Sequence, residues 1–329
     1  VTTPNTILVT GAAGLIGSHL VEHLLAHRDV DRVVALDNFN DYYSVDQKRA
    51  NVAGYQDDPR VTMAQIDIRD RPAVDALFAE HQPDAVAHLA AMANVRYSIG
   101  RADLYTDVNI VGSVNLLEAA RTTNLHDRGG TFVFASTSSA YGKTDRIPFV
   151  EDDPSNTPLA PYPASKKAVE LMGHTYHNLH QMNFTAVRFF SVYGPRARPD
   201  MMPYMVTDRI ATGETITLFD AGNMKRDWTF VGDIVAGVDA ALHTPLGYEI
   251  INLGNGTPVL MSDFVTIIED LIGKKANLET PPAPASEPKL TNADITKAQR
   301  LLNYNPQTPV AEGLEKLWHW YRDTHQARG

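Results

Sequence analysis

Tyr162-Pro163-Ala164-Ser165-Lys166 is the stretch whose residue types and spacing best suit chemistry. On a helix, the i,i+4 spacing puts a phenol and an ammonium on one face, close enough for the cation to favour the phenolate. Tyr162 would then act as a general base. A free tyrosine has a pKa of about 10, and lowering it to about 7 takes roughly 4 kcal/mol of differential stabilisation. A solvated Tyr–Lys pair on a helix has the same spacing, so the pentapeptide takes its meaning from its company. Upstream, Ser136-Thr137-Ser138-Ser139 gathers hydroxyls just beyond an apolar run, where they could bond a substrate hydroxyl or carbonyl. Further upstream, Gly11-Ala12-Ala13-Gly14-Leu15-Ile16-Gly17 has the glycines of a tight turn that lets a pyrophosphate approach the backbone.

These groups can meet only if the elements between them form one sheet. Thr6 to Thr10 reads as a short buried strand, and Gly14 to about His27 as a helix with an apolar stripe at Leu15, Ile16, Leu20, Leu24 and Leu25. The glycine turn therefore joins a strand to a helix N-terminus, whose free N–H groups suit phosphates. A second strand, Val33 to Leu36, ends at Asp37-Asn38, about twenty residues beyond the glycines. An acidic side chain there would bind the ribose hydroxyls of NAD and repel the extra phosphate of NADP. Strand-like segments recur at Val61–Ile66, Ala85–Leu89 and Thr131–Ala135, separated by helix-like ones. This alternation predicts an α/β fold, a doubly wound parallel (Rossmann) sheet, with a smaller C-terminal α/β substrate domain. Asp67-Ile68 and Ala90-Ala91 fall just past strand ends, where ligands of such sheets bind.

Composition narrows the function classes. The chain has 329 residues, 43% hydrophobic and 21% charged, as expected of a globular protein with a substantial core. It has no cysteine, which removes disulfides, thiolate nucleophiles and Cys-ligated zinc. A net charge of -10 argues against a nucleic-acid surface, and any anionic ligand must be met by locally placed arginines. The opening Val1 to Asn5 lacks the pattern of a signal peptide, and no apolar run is long enough for a bilayer, so a cytoplasmic protein without a membrane partner is expected. His174, His177 and His180 rotate around a helix without a carboxylate, so no metal is expected.

With Thr10 to Gly17, the Thr137 cluster, Tyr162 to Lys166, Arg188 to Arg196, Arg226-Asp227-Trp228 and Asn292-Ala293-Asp294 in order, the chain resembles the extended short-chain dehydrogenase/reductases along nearly its whole length. Within them it resembles the nucleotide-sugar 4-epimerases. The resemblance implies Thr137, Tyr162 and Lys166 as the catalytic set. It implies NAD as cofactor, with Asn109 nearby. On the substrate side it implies Arg96, Thr137, Ser138, Ser139 and Ser191, with Arg226 at the pyrophosphate, Leu218 and Phe219 beside uracil, and Glu287 at the ribose of UDP. Leu36 to Tyr43 and Tyr193 to Met201 are similar to the UDP-glucuronate 4-epimerases. Their substrate carries about three negative charges, for which Arg196, Arg198 and Arg226 are bidentate candidates. The implied reaction oxidises C4 to a ketone, turns the sugar and reduces its other face, without decarboxylation. Arg198 with Ser191 is expected to clamp the carboxylate. Ser138 and Ser139 follow Thr137 where related dehydratases carry Asp-Glu, so elimination lacks its acid/base pair.

Past Ser191 the strict alternation ends, and residues 191–229 and 255–329 are expected to bind the UDP-sugar. Residues 1–190, rejoined by about 230–254, would form the NAD-binding domain. A 4-epimerase of a neutral UDP-hexose or UDP-N-acetylhexosamine is the alternative, and a non-catalytic NAD-binding sensor a more distant one. Family members commonly pair as homodimers, here through the segments Leu104–Arg121 and Ala164–His180.

Overall fold

The computed structural model describes residues 4–283 and 289–326. Its centre is a parallel sheet of seven strands. Six are β1 (Thr6–Thr10), β2 (Arg32–Leu36), β3 (Val61–Ala64), β4 (Ala85–His88), β5 (Thr131–Thr137) and β6 (Asn183–Phe189). The seventh, Tyr248–Leu253, pairs with β6 at the far edge, and the spatial order is Tyr248–Leu253, β6, β5, β4, β1, β2, β3. Strand order therefore reverses between β1 and β4, and a ligand crevice opens beyond their carboxyl ends. Thr10 is in register with Leu36 on one side and His88 on the other, which brings the glycine turn level with both following loops.

Both faces of the sheet are covered, which is why its strands read as near-continuous apolar runs. Ile7, Val9, Val33, Ala35 and Val133 face the helix α1 (Leu15–His27) and the helix Val231–Leu242. Their chain neighbours Leu8, Val34, Phe132 and Phe134 point the other way, into a core with Leu116, Phe78 and Phe184. A third core, with Ile210, Phe264 and Leu317, joins the helices Met202–Thr212, Met261–Ile272 and Val310–Gln326 into the second lobe.

The structure departs from the sequence reading at element ends. The helix expected from Ala164 starts at Pro161, because a proline is tolerated in a first helical turn that has no N–H partner to lose. Tyr162 thus lies in the opening turn and Lys166 one turn later. The segment Leu104–Arg121 is not one continuous α-helix. Ala102–Tyr105 passes through a π-helical segment, Thr106–Val111, before Gly112–Thr122 resumes α geometry. In the second lobe Thr215–Thr217 is a short strand, and Phe219–Gly222 is a short turn with Asp220 and Ala221 at positive φ.

Candidate active site

The crevice at the strand reversal is a cavity of about 520 Å³. On one wall, Gly11, Gly14, Leu15, Ile16 and Gly17 line it where β1 turns into α1. A Cβ at Gly17 would lie 2.1 Å from the Gly11 carbonyl oxygen, and one at Gly11, whose φ is +70°, would lie 2.9 Å from the Ala90 nitrogen. Only hydrogen fits at either position, so the backbone forms a close cradle at a helix N-terminus, as a pyrophosphate requires. Asp37 closes it, its carboxylate accepting from the Ala13 N–H at 3.0 Å and the Phe39 N–H at 2.8 Å. Asn38 donates to Asp67 at 3.0 Å, and Arg69 beside Asp67 holds that carboxyl down at about 2. Asp37, Asn38, Asp67, Ile68, Ala90 and Ala91 all line the cavity. The residues present fit a dinucleotide.

Gly17→Ala is expected to keep the fold but strain this turn by about 1–3 kcal/mol. That is roughly a ten- to hundredfold loss of dinucleotide affinity. Calorimetric titration with NAD checks it, and unchanged affinity would show that the turn is not the cradle.

On the floor, β5 delivers Thr137 as its last residue, buried, with Oγ1 2.7 Å from Ser139 Oγ and accepting from the Ser139 N–H at 3.2 Å. Ser138 and Ser139 follow in a short helical turn, and both line the cavity. Tyr162 and Lys166 enter the same cavity from the Pro161–His180 helix. The Tyr105 ring packs edge-on against Tyr162 at 6.1 Å, and Lys166 Nζ stands 4.5 Å from the Phe134 ring centre. Burial pushes the Tyr162 phenol up, opposed by a hydrogen bond with Thr137 and the charge of Arg198. Burial pulls Lys166 down to about 7, with Glu170 pushing back. The sequence reading credits Lys166 with lowering the tyrosine. In the fold, the groups that oppose burial at Tyr162 are Thr137 and Arg198.

Below this set lies a buried charge pair that motif reading overlooked. Arg188 donates to Glu170 through Nε at 2.9 Å and Nη2 at 2.7 Å, and neither side chain is exposed. Ser136, next to Thr137, donates to the same carboxylate at 2.6 Å, and Glu170 lies one helical turn beyond Lys166. The pair therefore ties β5, β6 and the Tyr162 helix together under the reacting groups. An i,i+4 Lys-Glu step and an arginine set inside the apolar run Ala186–Phe190 were its traces in the sequence.

The sugar-side expectations divide. Ser191 and Arg198 line the cavity. Asn109 does not. Its amide donates to Met92 O at 3.0 Å and Ser165 Oγ at 2.9 Å, so it braces a lining loop and the Tyr162 helix from behind. Arg196 turns away to pair with Glu22 at 2.6 Å. Arg96 is exposed beside the lining residues Asn94 and Val95, outside the cavity itself. Leu218 faces inward as part of the second-lobe core with Ile216 and Trp228, and Phe219 packs against that core. Arg226 lies on a short strand of the second lobe, Nη1 donating to the Lys225 carbonyl at 3.0 Å. Leu218, Phe219 and Arg226 are not among the cavity-lining residues. Glu287 lies outside the described residues. Conversely, Tyr42, Tyr43 and Asn94 line the cavity without having been assigned a role. The Asp-Tyr-Tyr run just after the second strand was the available signal.

Residues 7–254 match the model of the NAD dependent epimerase/dehydratase family. A UDP-glucuronate 4-epimerase from Thermodesulfobacterium geofontis is 40% identical over 317 residues, covering 96% of each chain. Among solved structures, UDP-glucuronic acid 4-epimerase from Bacillus cereus in complex with UDP-glucuronic acid and NAD superposes with a TM-score of 0.88 at 34% identity, covering 97% of this chain and 99% of that one. A dTDP-glucose 4,6-dehydratase from Streptomyces venezuelae with NAD bound also reaches 0.88, at 30% identity and 98% of each chain. The backbone is thus shared across more than one chemistry, while the glycine cradle, Asp37 and the Thr137–Tyr162–Lys166 cluster are set where that backbone places its ligand crevice. The chain belongs to the NAD dependent epimerase/dehydratase family.

Proposed function

We propose that this protein interconverts UDP-glucuronate and UDP-galacturonate by inversion at C4, without decarboxylation. The observation that carries the reading is that one cavity is lined by the glycine cradle, by Thr137, Tyr162 and Lys166, and by the guanidinium of Arg198. NAD, when bound, supplies reversible acceptance of the C4 hydride. Gly11, Gly14 and Gly17 would admit its pyrophosphate and Asp37 its ribose. Tyr162 takes the C4 hydroxyl proton and returns it to the C4 oxygen once the sugar has turned its other face to the cofactor, Thr137 donates to that oxygen while it carries charge, and Lys166 holds positive charge beside both. Arg198 receives the carboxylate and keeps its bond to C5 near the ring plane, out of line with the C4 carbonyl π system. With Ser138 and Ser139 after Thr137, the site lacks the acid/base pair that elimination would need.

The same reading assigns the UDP moiety to the second lobe and the dinucleotide to the seven-stranded sheet. It includes a homodimer formed through the segments Leu104–Arg121 and Ala164–His180, which Leu171 and Leu179, exposed on the latter, support. It also places the protein in the cytoplasm, a location its cysteine-free sequence suits.

Purified protein incubated with UDP-glucuronate and no added reductant is expected to accumulate UDP-galacturonate toward an equilibrium mixture, resolved by NMR. UDP-glucose or UDP-N-acetylglucosamine turned over while UDP-glucuronate stays untouched would transfer the assignment to the neutral-sugar reaction. In the same assay Arg198→Ala should raise KM for UDP-glucuronate about tenfold or more, for the loss of a charge-assisted bidentate contact. It should also increase the fraction of decarboxylated UDP-pentose. An unchanged product ratio would sink the clamp.

A further inference from the structure

Arg198 is already paired within the chain, an unexpected state for a group that must receive a substrate carboxylate. Its Nε donates to Asp200 Oδ1 at 2.9 Å and its Nη2 to Asp200 Oδ2 at 3.2 Å. A local pair two residues apart at a surface would contribute little. This one is not local in effect, because Asp200 Oδ2 also accepts from Tyr42 Oη at 2.9 Å and from Asn94 Nδ2 at 2.7 Å. Tyr42 belongs to the loop after β2 and Asn94 to the loop after β4, so segments far apart in sequence converge on one carboxylate. Both partners are themselves braced. The Tyr42 ring packs against Tyr97 at 4.9 Å, and Tyr105 Oη donates to the Asn94 carbonyl at 2.9 Å. The guanidinium lies over the Tyr42 ring, 5.6 Å from its centre.

The chemistry of the guanidinium explains what such a knot achieves. Nε and one Nη form a side edge that fits one carboxylate, while the Nη1–Nη2 end is a second donor pair that fits another. Asp200 takes the side edge, and among the described residues nothing accepts from Nη1. We propose that Asp200, held by Tyr42 and Asn94, is a positioning residue that fixes Arg198 so that only its end edge meets the sugar carboxylate. This inference rests on the uronate reading above. A fixed guanidinium plane fixes the plane of the carboxylate it holds, and with it the rotation about the C5–carboxylate bond that decides whether carbon dioxide leaves. When it does leave, the bonding electron pair becomes the enolate of the 4-keto sugar, which then takes a proton at C5, so no outside reductant is involved in the loss.

The test is Asp200→Asn, assayed with UDP-glucuronate for KM, kcat and product ratio, with bound NAD and thermal midpoint measured alongside. Removing the internal counter-charge leaves Arg198 more available but less oriented. KM should therefore stay level or fall while kcat drops about tenfold and the UDP-pentose fraction rises, the reverse of the KM pattern of Arg198→Ala. Tyr42→Phe, which keeps the ring under Arg198 but removes the hydroxyl on Asp200, and Asn94→Ala should move the product ratio in the same direction by a smaller factor and carry the test if Asp200→Asn fails to fold. A raised KM with an unmoved product ratio, or no change at all, overturns the proposal alone. Wild-type protein that leaves UDP-glucuronate untouched overturns the underlying reading and the proposal with it.

Discussion

Tyr162→Phe is expected to lower kcat for epimerisation by about a thousandfold, within the range that a positioned acid–base group contributes, while NAD remains bound. The ring and its edge contact with Tyr105 survive the change, and the Pro161–His180 helix has no other reason to move. What disappears is the only oxygen in the cluster suited to take and return a proton near neutral pH. Thr137 is a hydroxyl with no acidity of its own, and Lys166 has no described partner to relay its proton. The phenol is pushed up by burial, and the nearby charge of Arg198 and the Thr137 hydrogen bond oppose that rise. Activity should therefore climb with pH on its acid limb as the phenolate form becomes available, and the variant should lose that limb altogether. Steady-state rates from pH 6 to about 9.5 would decide it. A variant within tenfold of wild type would move the base to another group.

Much of this was legible in the sequence, for identifiable reasons. The glycine turn, Asp37 and the strand–helix alternation are local signals, each written within a few consecutive residues, and the parallel sheet follows from their repetition. Tyr162 and Lys166 share a helix turn, so their proximity was also local. Thr137 could be joined to them only because a doubly wound sheet sends every strand's carboxyl end to the same side. The residues set apart from the cavity owe their placement to non-local packing. Leu218 turns inward because Ile216 and Trp228 offer it a core, and Arg196 turns aside because Glu22 of α1 lies within reach. Glu22 lies 174 residues from Arg196, and the core that takes Leu218 is completed by Phe264 and Leu317 from distant helices. Asp200 likewise reads as a surface acid after a proline until Tyr42 and Asn94 arrive from other loops. The π-helical segment around Asn109 left no specific mark, since a run of β-branched residues with Asp and Asn weakens a helix without selecting a π-turn, and its irregular backbone serves a contact to Met92 and Ser165.

Lys166→Met should stabilise the cofactor-stripped protein while reducing its activity at least a hundredfold, an opposition that follows from where the ammonium sits. Lys166 is 2% exposed, and its Nζ faces the Phe134 ring without a hydrogen bond to any described residue. Burial therefore penalises the charge, and Glu170, engaged by Arg188, restores only part of it. With the folded pKa drawn down to about 7 from the ordinary lysine value of 10.5, the unfolded chain binds the proton more tightly than the folded one. The penalty is complete below pH 7 and shrinks as pH rises through the window up to about 10.5, so wild-type stability should increase with pH across that interval. Methionine fills a similar volume with an unbranched apolar chain and carries no such penalty. Its advantage should be on the order of 3 kcal/mol at pH 7 and close to nothing at pH 10. Urea denaturation of both proteins at these two values measures the gap directly. A variant less stable than wild type at pH 7, or a gap that ignores pH, would show that the ammonium is held favourably by the fold. The expected result would instead mean that the chain keeps a destabilising cation under its base because the reaction needs positive charge there.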